Sequence, residues 1–171
     1  MPMQGSIVVD TNAGETALFQ ALVRRFDAST VTRRKLDVGD VMLVADAGTV
    51  VVERKTWLDL AKSLTDGRYA EQKVRLRSLM APPAEPGEED AGDGATSNVV
   101  AVLYLVEGSL TGWSGKVAGG GGMGPVSKMT NAQLEAAVVM TAVRDGVPVL
   151  RTKNGVRRPH LPHLRSLPSL P

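Results

Sequence analysis

The stretch Asn98 to Val106, NVVAVLYLV, is apolar at every position after its first residue. Side chains of a strand alternate between two faces, so an unbroken apolar run calls for cover on both. That requirement favours a layered α/β fold, with this strand at its centre, over an antiparallel sheet with one wet face. The run is also far too short to span a membrane.

Partners for such a strand recur along the chain. Ser6 to Asp10 (SIVVD) predicts a short buried strand, and Leu18, Leu22 and Phe26 follow at helical spacing. Val31 to Leu36 is a second strand candidate. Val41–Val44 and Val50–Val52 flank Ala45-Asp46-Ala47-Gly48-Thr49, a hairpin signal. Trp57, Leu60 and Leu64 predict a helix, Asp66-Gly67 breaks it, and Tyr69 to Met80 predicts another. Asn131 to Arg144 predicts a helix with two apolar faces. Leu134, Ala137, Val138 and Thr141 form one; Ala136, Val139, Met140 and Val143 form the other. Such a helix is buried or is half of an interface. Val147 to Leu150 closes the pattern as a strand.

Three segments stand outside it. Residues 81–97 hold five acids, several prolines and glycines and no Lys or Arg, which predicts a solvated, mobile loop. The glycine-rich stretch at 118–124 predicts a surface loop, either floppy or able to close over a bound partner. The Pro-rich tail at 153–171 lacks the pattern of a packed element and is expected to be disordered, and its His160 and His163 are assigned no role. The expected organisation is one domain over residues 1–152 followed by that tail.

Cysteine is absent, so disulfides and thiolate metal sites are excluded, and a metal would be held by oxygen or histidine. No long apolar span and no basic-then-apolar leader is seen, which places the chain inside a cell. The formal charge is +2, and five of the acids that limit it sit in the 81–97 segment. The remainder is moderately basic, as a phosphate-rich partner would favour.

The chemistry concentrates in Gly39-Asp40, then Val52-Glu53-Arg54-Lys55, then Asp59. With a hairpin loop of two residues (Ala47, Gly48) or four (Asp46 to Thr49), Asp40 pairs opposite Lys55 and Met42 opposite Glu53. Asp40, Glu53 and Lys55 then share one face. A three-residue loop would set Asp40 opposite Arg54 and break that parity. In the first case two carboxylates can hold a divalent ion, and the ammonium can orient water or steady a developing phosphate charge. Asp59, in the first turn of the next helix, is favoured there by the helix dipole and is a further ligand candidate.

The words KLDVGDVMLV and VVVERKTWLDLAKSLTDGRYAEQKVRL resemble the GD…ERKxxxDL…S…DGR…Q signature of the XPF family of structure-specific endonucleases. VLYLVEG and LEAAVVMTAVRDGVPVLRT look closest to its Mus-type crossover junction branch, and the resemblance runs from about Ile7 to Thr152. It implies a restriction-endonuclease-like (PD-(D/E)XK-type) fold, a central mixed sheet flanked by helices. The implied activity is Mg²⁺-dependent hydrolysis, with Mn²⁺ as substitute, near flaps, forks or junctions in DNA repair or recombination.

The resemblance places catalytic roles on Asp10, Asp40, Glu53, Arg54, Lys55 and Asp59, with Asp10, Asp40, Glu53 and Asp59 as metal ligands. A family acid three residues past Asp10 is replaced here by Ala13, and Glu15 is the nearest substitute. Arg68 and Gln72 match DGR…Q and share a helix face; with Lys73, Arg34 and Lys35 they are the expected DNA contacts, salt-sensitive ones. Branched DNA is the implied partner, in the nucleus or another DNA-containing compartment, and pairing as a homodimer or heterodimer is implied too. Relatives add a tandem helix-hairpin-helix region, and nothing after Arg151 matches one. Two other readings compete: a non-catalytic scaffold subunit of a heterodimeric nuclease, which would typically lack the intact ERK word, and a sequence-specific restriction-like nuclease, which would not need DGR…Q.

Overall fold

The computed structural model describes residues 5–80, 98–111 and 129–153. The segments expected as loops at 81–97 and 118–124, and the tail from residue 154 on, lie outside the described residues.

Among the described residues one mixed sheet is formed by β1 (Gly5–Val9), β2 (Val31–Arg33), β3 (Val41–Ala45), β4 (Gly48–Thr56), β5 (Val99–Glu107) and β6 (Val149–Thr152), in the order β2-β1-β3-β4-β5-β6. The β1–β3 and β3–β4 pairs are antiparallel, and β1–β2, β4–β5 and β5–β6 are parallel. A 3-10 turn at Ala13–Glu15 leads into α1 (Thr16–Arg25), and α2 (Trp57–Thr65), α3 (Arg68–Ser78) and α4 (Asn131–Val143) complete the layers.

Helix starts follow local chemistry. The Thr56 hydroxyl accepts the Asp59 amide to begin α2, Gly67 turns the chain into α3 at φ 81°, and Thr130 with Gln133 forms a reciprocal capping box at α4. Apolar side chains of one sheet face, among them Val8, Met42, Val51, Val102 and Tyr104, pack against Trp57, Leu60, Tyr69, Leu76 and Leu134 of the helices. Each such large side chain contributes roughly 1.5–3 kcal/mol on burial. That single packed face fixes the position of everything projecting from it.

One expectation of cover is corrected. β5 is an interior strand but lies one place from the edge, and its cover is one-sided. Val102, Tyr104 and Val106 are buried, whereas Ala101, Leu103 and Leu105 on the opposite face are half-buried. The helices explain this, because α2 contacts β4, α3 and α4 on the first face while α1 sits beside β2. α4 buries Leu134, Val138 and Thr141 and exposes Val139, Met140 and Val143, so of the two alternatives for this helix it is burial on all sides that does not hold. No helix among the described residues is long and apolar enough to cross a membrane.

The hairpin loop has two residues, but they are Asp46 and Ala47, since Ala45 pairs with Gly48. The ladder continues through Val41 and Val52, so Asp40 falls opposite Glu53 rather than Lys55, and Met42 opposite Val51. Gly48 is drawn out of the turn because β5 crosses close to it: a Cβ there would overlap the Val100 side chain. A shift of two residues preserves parity, so Asp40, Glu53 and Lys55 still share a face.

Candidate active site

The carboxyl end of β1, the entry to β3 and the second half of β4 meet at one edge of the packed face. The Asp10 amide donates to the Asp40 carbonyl (2.9 Å), and the Asp40 amide to the Val52 carbonyl (2.8 Å), which aligns the three strand ends. Gly39 makes the approach possible. At φ 81°, a Cβ would stand 2.5 Å from the Val51 side chain and 3.2 Å from the Val52 carbonyl oxygen. The Gly-Asp word is therefore a close crossing followed by a ligand-type residue.

Asp10, Lys35, Asp40, Glu53, Gln72 and Arg75 line one hollow of about 180 Å³. Asp10 is buried; its Oδ1 accepts the Leu36 amide at 2.9 Å and both its oxygens lie 3.4 Å from the Lys35 ammonium. Burial alone would raise its carboxyl, but the Leu36 and Thr11 amides together with Lys35 bring it below the ordinary value. Asp40 accepts the Arg54 amide on Oδ2 at 2.7 Å, and Lys55 Nζ stands 3.2 Å from Glu53 Oε1.

Burial raises the Asp40 carboxyl above its usual value despite the Arg54 amide. Burial and the Asp40 charge do the same to Glu53 despite Lys55. Two acids opposed on neighbouring strands with both carboxyls raised suit a site that takes up a cation. Gln72 Oε1 projects from α3 and is buried with no hydrogen-bond partner among the described residues.

These donors are all oxygens, a set that suits a hard divalent ion such as Mg²⁺ or Mn²⁺. Among the described residues no group of three or more His, Asp or Glu closes into a metal cage. An ion held by so few carboxylates would keep waters among its ligands, as Mg²⁺ commonly does.

Arg54 and Asp59 are separated from this group. Alternation along β4 sends Arg54 to the opposite sheet face, where it meets Glu15 and, through two guanidinium nitrogens at 2.8–3.0 Å, Glu107. Glu15, Arg54, Lys55, Thr56, Asp59 and Glu107 line a second hollow of about 210 Å³, so Lys55 borders it while its ammonium pairs with Glu53. Asp59 is occupied locally, its Oδ2 accepting the Thr56 hydroxyl at 2.7 Å. The structure therefore does not gather Asp59 with Asp10, Asp40 and Glu53, and the helix start accounts for it. Glu15, too, lies on the Arg54 side.

Of the expected DNA contacts, Lys35 and Gln72 reach the first hollow. Lys73 does not: it is buried, paired with Asp145, with its ammonium 4.7 Å from the Tyr69 ring centre. Arg68 is exposed at the start of α3 and held by Asp66 (2.7 Å). Arg34 is half-buried, its amide donating to the Val9 carbonyl. Glu107, which ends the apolar run of β5, was assigned no role by its sequence position. Arg75, one turn beyond Gln72, stands out only as one of many basic residues until the helix brings it to the hollow. A larger hollow of about 810 Å³, lined by Val74, Met80 and Val100 among others, lies at the other end of β5, away from the acids.

This architecture, a mixed sheet flanked by helices with acids at the strand ends, is the restriction-endonuclease-like α/β fold. The chain belongs to the ERCC4 domain family, whose pattern matches residues 9–156. Among solved structures it is similar to XPF from Aeropyrum pernix in complex with DNA, at 24% identity and TM-score 0.52, covering 87% of this chain and 56% of that one. It is similar also to XPF from Aeropyrum pernix alone, at 23% identity and TM-score 0.53, covering 87% and 57%. The chain thus spans little more than half the length of the structures it matches. No curated protein matches it.

Proposed function

We propose that this chain is a structure-specific DNA endonuclease domain, dependent on Mg²⁺ or Mn²⁺, that hydrolyses phosphodiester bonds near flaps, forks or junctions in DNA repair or recombination. One observation carries the reading: Asp40 and Glu53 are opposed on a buried face, both carboxyls raised, with Lys55 3.2 Å from Glu53 and the unpartnered Gln72 Oε1 lining the same hollow. Membership of the ERCC4 domain family and the likeness to a structure described as a complex with DNA support it.

Asp40 and Glu53 would hold the ion, with Asp10 beside them. When bound, the ion polarises the phosphate and lowers the pKa of a water. The protein's own groups do the rest. Lys55 offsets the acids' charge and steadies charge developing on the phosphate, and the Arg54 amide fixes Asp40. Lys35 and Arg75, on the rim, offer cations to the DNA backbone.

The Mus-type branch is the finer assignment, on the words VLYLVEG and LEAAVVMTAVRDGVPVLRT. Pairing through the nuclease domain is part of the same reading, since α4 presents Val139, Met140 and Val143 and the edge strand presents Leu150, all exposed. Work on DNA would place the chain in the nucleus or another DNA-containing compartment.

The test is incubation of the purified chain with labelled flap, fork and linear duplex DNA in Mg²⁺, Mn²⁺ or chelator. Cleavage of branched DNA is expected in either metal and none in chelator. Asp40→Ala and Glu53→Ala should each lower the rate by more than about 100-fold, beyond what loss of a merely supporting group costs. DNA binding without cleavage in either metal would move the assignment to a scaffold subunit.

A further inference from the structure

The second hollow contains a group that the nuclease reading leaves unused. Glu15 comes from the 3-10 turn after β1, Arg54 from β4 and Glu107 from the end of β5, and all three side chains are about nine-tenths buried. Arg54 gives Nε and Nη2 to Glu107 (3.0, 2.8 and 2.9 Å) and Nη1 to Glu15. A planar guanidinium engaged by two carboxylates in this way has little rotational freedom left. The same residue's backbone amide, on its other side, donates to Asp40 Oδ2 at 2.7 Å.

We propose that Glu107 is a positioning residue, with Glu15 as its partner: by gripping the Arg54 guanidinium behind the sheet, the two acids hold the β4 backbone so that its amide orients Asp40 in the hollow in front. Arg54 then acts through its main chain. Its side chain cannot reach the phosphate in the front hollow, because alternation along β4 points it the other way from Glu53 and Lys55. The role explains why an arginine stands between two site residues without facing their site. It also gives Glu15 a task distinct from that of Asp10. The proposal rests on the reading of Asp40 as a site carboxylate, and its test is built to separate the two.

Glu107→Gln keeps the shape and removes the charge that grips Arg54. Two measurements are made on it, on Glu15→Gln and on the wild type. The first is kinetics on a flap substrate in Mn²⁺. The second is hydrogen exchange at the Arg54 amide in the metal-free, DNA-free protein, with the Val51 amide as internal reference. The expected result is a fall in kcat of about 10–100-fold with KM within about 2-fold, the pattern of a lost supporting contact rather than lost binding. The Arg54 amide should exchange faster while Val51 keeps its wild-type protection.

Wild-type kcat together with wild-type exchange in Glu107→Gln overturns the proposal, and so does faster exchange at Arg54 and Val51 alike, which is general loosening. Should the wild type cleave no DNA, the nuclease reading fails, and the exchange measurement alone decides the clamp by the same criteria. Should Glu107→Gln fail to fold, Arg54→Lys, which keeps the charge but loses the fork, takes its place with the same expectations.

Discussion

Asp40 and Glu53 face each other across two strands, both largely out of water; burial raises both carboxyls, the Asp40 charge adds to the rise at Glu53, and the Asp10 charge adds to that at Asp40. A carboxyl whose folded-state pKa lies above its unfolded value contributes stability that is complete below the unfolded value and is lost as pH rises through the folded one. At neutral pH this pair therefore weakens the metal-free fold. Glu53→Gln or Asp40→Asn in chelator should raise Tm at pH 7 by about 4 °C, the scale of ~1 kcal/mol in a domain of this size. The gain should vanish near pH 4, where thermal scans would find both proteins alike. A variant no more stable than wild type at pH 7 would mean that the pair is not strained. These residues were legible in the sequence because strand alternation puts Glu53 and Lys55 on one face of β4, and a register shift of two residues keeps Asp40 on that face with them. Glu107 was not, since its partner Arg54 lies 53 residues away and only the parallel β4–β5 pairing brings them together.

At the scale of elements, period and turn chemistry predicted every strand and helix described, with shifted ends. The misplacement of the hairpin tip has a physical cause. Ala47-Gly48 reads as a turn, but Gly48 is needed where β5 crosses, so the loop moves back to Asp46-Ala47. The reading of α3 as a DNA-facing helix missed a different contact, the pairing of its Lys73 with Asp145 after α4. Arg144 and Lys73 together pull the Asp145 carboxyl down to about 2. A depressed carboxyl contributes stability above its unfolded pKa and loses it as pH falls through the folded one. Asp145→Asn should thus unfold at a lower temperature than wild type at pH 7, with the gap narrowing between pH 4 and pH 2. A gap independent of pH would show that the charge of Asp145 is not what ties α3 to α4.

For the whole molecule, a continuous apolar strand promised two covering layers, and the described residues provide one complete layer and a partial second. The sequence could not announce this, because an apolar side chain reads the same whether a helix or a partner covers it. The outward face of α4 is the clearest case, with Val143 78% exposed and Val139 56%. Sedimentation of the wild type should show a dimer that Val139→Glu together with Val143→Glu converts to monomer at unchanged fold; a wild-type monomer at tens of micromolar would remove the pairing proposal. The most direct test of the central claim is a crystal of the domain soaked in Mn²⁺ and measured for anomalous scattering. The peak is predicted between the carboxylates of Asp40 and Glu53, in the hollow shared with Asp10 and Gln72. A peak beside Asp59 and Glu107 in the second hollow, or no peak at all, would contradict it.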